Sequence, residues 1–154
     1  MGNQILQVQR PRKIRINGFI VDPSQLKLAK WIFQTYPETA ENVKVQNQKL
    51  KNTYMKLLCG NIKTLYHTPL RKITEDELSK ACKDLSDLTQ AGFTLDWLES
   101  KVDKISSEKK SYEERIVELK QEVKQLKLTV SDLKGQRKKE EAKLKKRPSW
   151  IQVG

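Results

Sequence analysis

Histidine and cysteine are nearly missing from this sequence: His67 stands alone, and Cys59 and Cys82 are the two thiols. Two cysteines and one histidine cannot complete a four-ligand zinc site without carboxylates or a second chain. No Gly-Xaa-Ser-Xaa-Gly string sets a serine on a strand-to-helix turn. No Walker glycine loop and no His-Glu-Xaa-Xaa-His pair occur either. No catalytic residue, metal ligand, cofactor or small-molecule substrate is therefore expected. His67 closes a helix beside Thr68-Pro69, where an imidazole suits the last carbonyls. No run of eighteen apolar residues is present, so no transmembrane segment is expected. The N-terminus lacks the apolar core of a secretory signal. The expectation is an intracellular protein, cytoplasmic, nuclear or both, with Cys59 and Cys82 reduced and buried in helical apolar patterns.

Apolar residues are also scarce, at 36% against 32% charged. That is low for a compact globule and ordinary for a small globule carrying a long exposed helix. Acids are missing where bases gather. The first sixteen residues hold Arg10, Arg12, Lys13 and Arg15 with no acid. Near the C-terminus, Lys134, Arg137, Lys138, Lys139, Lys143, Lys145, Lys146 and Arg147 face only Glu140 and Glu141. Most of the net charge of +12 is thus carried by the two ends, and the middle is nearly balanced. Such ends bind nucleic acid, an anionic membrane or an import receptor weakly, or they are solvated cations that suit a helix C-terminus. Only Trp150, just beyond the second run, offers a ring for base stacking. Met1-Gly2 resembles a myristoylation start, but Leu6 stands where the pattern wants Ser or Thr.

What the chain does have is one long heptad repeat. Counting in sevens from Leu98, the d positions are Leu98, Ile105, Tyr112, Leu119, Leu126, Leu133 and Glu140. The a positions are Val102, Lys109, Ile116, Val123, Val130, Arg137 and Leu144. The spacing never skips, and no proline interrupts it before Pro148. A 3.5-residue repeat places these side chains on one stripe of a helix roughly 70 Å long. A solvated helix held by charge pairs alone needs no such stripe. Ile and Val at a with Leu at d favour a parallel two-stranded coil. A parallel homodimer would set Glu108 against Glu113 and Arg115 against Lys120, with only Glu122 and Lys127 attractive. An antiparallel dimer or a different chain therefore stays open.

Ahead of the repeat, Lys13 to Val21 offers two short β-prone runs around Asn17-Gly18. The choice is a hairpin or an extended arm across the helices, and the lack of other strands favours the arm. Pro23 opens a helix carrying Leu26, Ala29, Ile32, Phe33 and Tyr36, flanked by Trp31 and stopped before Pro37. A second helix runs from near Asn47 to His67, its apolar side Leu50, Tyr54, Leu57, Leu58, Ile62 and Leu65. Thr74 and Glu77 spell a capping box for a third, with Leu78, Ala81, Cys82, Leu85 and Leu88 buried and Gly92 ending it. Thr94 is expected to cap the long fourth helix, with Phe93, Leu95 and Trp97 pinning its root.

These residues resemble one plant family segment. Asn17-Gly18-Phe19, Pro23-Ser24-Gln25, Tyr36-Pro37, Asn47-Gln48, Leu50-Lys51, Tyr54-Met55 and Leu57-Leu58 carry the first half of the resemblance. Leu88-Thr89, Ala91-Gly92-Phe93 and Leu95-Asp96-Trp97-Leu98-Glu99 carry its most specific part. Over residues 16–135 the chain is similar to the C-terminal region of plant MATH-domain-and-coiled-coil proteins and of plant phospholipase-like, PEARLI-type proteins. The resemblance implies an intracellular protein built for self-association or partner binding, and brings no catalytic residue. No MATH domain lies in these residues, and the coil is shorter than the family's. Phosphodiester cleavage by paired His-Xaa-Lys motifs needs two histidines, which the chain lacks. The expected fold is all-α: a basic arm or hairpin over 1–21, a small three-helix domain over 22–93, a coiled-coil helix over 94–147 and a tail over 148–154. The expected partner is the chain itself, as a dimer, or a related coiled-coil chain. The expected contacts are the seam residues Leu98, Val102, Ile105, Tyr112, Ile116, Leu119, Val123, Leu126, Val130 and Leu133.

Overall fold

The structure, a computed structural model, describes residues 12–146. Gly2, Leu6, Arg10, Arg147 and the tail with Trp150 lie outside the described residues. The described chain is all-α apart from one hairpin. Strands β1 (Ile14–Ile16) and β2 (Phe19–Val21) pair antiparallel, with Ile16 opposite Phe19 and Ile14 opposite Val21. Asn17 and Gly18 both take positive φ, 46° and 83°, which is what a two-residue turn of this hand needs. A hairpin thus forms where an arm was favoured. It is held from outside: the Ile20 N–H donates to Asn52 Oδ1 at 2.9 Å, and Gln48 Nε2 donates to the Gly18 carbonyl at 3.1 Å. Phe19 and Val21 are buried, and Phe19 meets Phe33 and Phe93 with ring centroids 6.0 Å away in each case.

Helix α1 spans Pro23–Thr35, and a short 3-10 turn covers Pro37–Ala40. Helix α2 spans Gln48–His67, opened by Asn47 Oδ1 accepting from the Leu50 N–H at 3.0 Å. Helix α3 spans Glu75–Gln90 behind the Thr74–Glu77 capping box, with Glu75, Asp76 and Glu77 in its first turn. It ends in a Schellman closure: Phe93 N–H reaches the Leu88 carbonyl and Gly92 N–H the Thr89 carbonyl. Gly92 sits at φ 108°, and a Cβ there would collide with the Asn42 carbonyl oxygen. Helix α4 spans Asp96–Lys145. Leu95, not Thr94, stands before its first turn and accepts from the N–H groups of Leu98 and Glu99. Thr94 instead donates its N–H to the Thr39 carbonyl at 2.9 Å.

One core gathers Ala29 and Ile32, then Met55, Leu58, Cys59, Ile62 and Leu65, then Leu78, Ala81, Leu85 and Leu88, and finally Leu98, Val102 and Ile105. Two residues expected in it are outside. Leu50, in the first turn of α2, is exposed. Cys82 is exposed while Cys59 is buried. The buried line of α3 is Leu78, Ala81, Leu85 and Leu88, and Cys82 lies roughly 80° round from its centre at about 100° per residue. The chain divides into two compact units, residues 1–109 and 110–154. The opening turns of α4 therefore belong to the first unit.

Candidate interaction surface

The root of α4 is fixed by aromatic rings and one buried hydroxyl. Trp97 stacks on Tyr36 with centroids 4.0 Å apart and planes 2° from parallel. Trp31 meets Tyr36, Tyr66 and Trp97 edge-on, all within 5.7–5.9 Å. Thr39, fully buried, donates its hydroxyl to the Tyr36 carbonyl at 2.7 Å and accepts from Trp97 Nε1 at 3.2 Å. Lys101 Nζ lies 4.8 Å from the Tyr66 ring centroid. The sequence had pointed to Trp97 and to Trp31, but neither Tyr66 nor Thr39 stood out, since no local spacing brings Tyr36 and Tyr66 together.

The heptad seam divides in two. Leu98, Val102 and Ile105 are no more than 5% exposed and belong to the core of the first unit. They are covered by the chain's own helices. From Tyr112 onward every seam residue is open: Tyr112, Ile116, Leu119, Val123, Leu126, Val130 and Leu133 are 42–64% exposed. Nothing among the described residues covers them. Val117 and Leu128, at b and f positions, are further exposed apolar side chains off the seam. The part of α4 from Lys110 to Lys145 runs roughly 50 Å at about 1.5 Å per residue.

Charges around this seam are exposed. Arg115 reaches Glu118 at 3.0 Å and Glu122 at 3.9 Å, Arg137 reaches Glu141 at 3.3 Å, and Lys143 reaches Glu140 at 3.2 Å. Such pairs hold a helix by tenths of a kcal/mol. Of the basic patch, Lys138, Lys139, Lys143 and Lys145 stand exposed on α4 and Lys146 just past it, while Arg12 and Lys13 are exposed ahead of the hairpin and Arg15 on β1.

His67 is exposed on the last turn of α2. Burial pushes the Cys59 thiol up to about 11, against the pull of Lys63, so this sulfur is a neutral core atom. Asn61, mostly buried, donates to the Leu57 carbonyl at 2.9 Å and to Asp84 at 3.0 Å. Burial raises the Asp84 carboxyl, yet hydrogen bonds from Lys80 and Asn61 and the Lys80 charge together leave it below its ordinary value. A groove of about 440 Å³ between α2 and α3, lined by Lys56, Asn61, Glu77 and Lys80, holds no histidine or cysteine. Among the described residues, no three His, Cys, Asp or Glu side chains gather as metal ligands. No helix among them is long and apolar enough to cross a membrane.

Fold and surface define a mainly α-helical chain whose last described element is a long helix with an open heptad seam. Its relatives are plant proteins described as MATH domain and coiled-coil domain-containing. Three from Arabidopsis thaliana are 38%, 39% and 41% identical over 90%, 78% and 84% of this chain. The chain spans less than half of their lengths, 46%, 40% and 32% respectively. None of the three is described as phospholipase-like. No family model matches the chain, and no solved structure matches it.

Proposed function

We propose that this chain is a non-catalytic interaction module that works inside the cell and associates through the seam from Tyr112 to Leu133. Its partner is a second copy or a related coiled-coil chain. The observation that carries this reading is the uncovered apolar row from Ile116 to Leu133, at strict heptad spacing on an exposed helix rich in charged residues. Apolar side chains at strict 4-3 spacing gain by burial against another helix, at about 25 cal/mol per Å² removed from water. The coiled-coil wording in the relatives' descriptions supports it. The first unit serves as a folded head that fixes where the helix begins. Sedimentation equilibrium of the purified chain is the test. A dimer at micromolar concentration is expected, and a monomer throughout, alone and with related chains, overturns the reading.

A second reading rests on the exposed lysines at the end of α4, which suit a polyanion such as nucleic acid or an anionic membrane. It predicts weak binding that falls steeply with salt and ignores base sequence.

A further inference from the structure

We infer that the seam pairs antiparallel with a second copy, in one register whose paired positions sum to 249. The inference rests on the proposed self-association and goes further by naming orientation and partner residues. In an antiparallel pair each a residue faces a d residue of the other chain. The register that pairs Ile116 with Leu133 also pairs Leu119 with Val130 and Val123 with Leu126. All six apolar seam residues are used, and each is exposed in the single chain.

The next layers outward decide the matter. Tyr112 falls opposite Arg137, a ring against a guanidinium. Lys109 falls opposite Glu140. The three polar interruptions of the seam thereby become two complementary layers. A parallel pair instead sets Lys109, Arg137 and Glu140 each against its own copy, three like-charge contacts in the seam. The flank agrees: Glu113 meets Lys134, while Lys120 against Lys127 is the single repulsive contact. Sliding one heptad puts Arg137 opposite Leu119 and Glu140 opposite Ile116; sliding the other way puts Lys109 opposite Leu133. Both bury a charge against an apolar side chain. The layer beyond, Ile105 with Leu144, does not form, because Ile105 is held in its own core. Glu140 and Arg137 make exposed pairs within their helix, which exchange for a partner's charge at small cost.

The test is disulfide trapping in the full chain, on a Cys82→Ser background because Cys82 is exposed. Ile116→Cys and Leu133→Cys chains are mixed and oxidised mildly. The mixed disulfide is expected, with neither variant cross-linking to itself, since two copies of residue 116 would stand roughly 25 Å apart along the axis. Self-linked Ile116→Cys dimers would overturn the antiparallel pairing while leaving self-association intact. A chain that sediments as a monomer and traps nothing would overturn both. A charge swap gives an independent arm: Glu140→Lys should weaken association on the order of tenfold, and adding Lys109→Glu should restore most of it. Failure of that rescue would overturn the register.

Discussion

At the scale of single residues, the two cysteines separate what spacing implies from what packing decides. Both lie in apolar runs, and both were expected to be buried. Cys59 is, with its sulfur 3.9 Å from Met55 Sδ, whereas Cys82 faces solvent. Sequence alone located the stripe of α3 but not its width, and width depends on how many neighbours a helix has. Native alkylation should therefore label one thiol rapidly, Cys82, and the second only on unfolding. The Cys59 thiol also carries a pH dependence. Its folded value is raised from 9.0 to about 11 by burial. The unfolded chain gives up this proton first, so the stability tied to the neutral thiol is whole below pH 9 and is lost as pH rises through about 11. Urea midpoints between pH 8 and 11 should fall less steeply in Cys59→Ala than in the parent chain. Parallel curves would mean that the sulfur reaches water.

At the scale of elements, the hairpin and the long helix were legible to different depths. Asn17-Gly18 gave the turn, but not Asn52 and Gln48, the side chains thirty or so positions on that hold the hairpin. Caps written in adjacent residues, Thr74 with Glu77 and Gly92 after α3, were readable because their chemistry is local. The seam of α4 misled in one respect. Its 4-3 spacing runs unbroken from Leu98 to Leu144, and such a stripe packs equally on a neighbouring chain or on the chain's own helices. Hence the sequence set the coil at 94, whereas Leu98, Val102 and Ile105 complete the core of the first unit, which closes at Lys109. A cut at Ser100 would remove Val102 and Ile105, each buried side chain being worth about 1.5–3 kcal/mol. A chain ending at Lys110 should keep the cooperative thermal transition and the tryptophan emission of the head and sediment as a monomer. A chain ending at Ser100 should unfold at markedly lower temperature, and equal transitions for the two would show that those side chains contribute nothing.

At the scale of the whole molecule, most apolar side chains fall into two sets, one buried in the unit of residues 1–109 and one exposed on α4 from Lys110 to Lys145. If the two sets are energetically separate, damage to the second should leave the first intact. The seam between Ile116 and Leu133 is its only unbroken stretch, so association energy should concentrate there. Leu126→Lys would place an ammonium on that seam, against Val123 of the second copy. A charge stripped of water and left unpaired costs several kcal/mol, comparable to the gain from so short a seam. The variant should sediment as a monomer. Trp31 and Trp97, packed on each other and on Tyr36, report the head, and their emission and thermal transition should stay as in the parent chain. Lys109→Leu should also weaken assembly, because it leaves Glu140 of the second copy facing an apolar side chain instead of an ammonium. An intact dimer in Leu126→Lys would leave the open seam without a role in self-association. A head that unfolds with it would mean that the two sets of apolar residues form one cooperative structure.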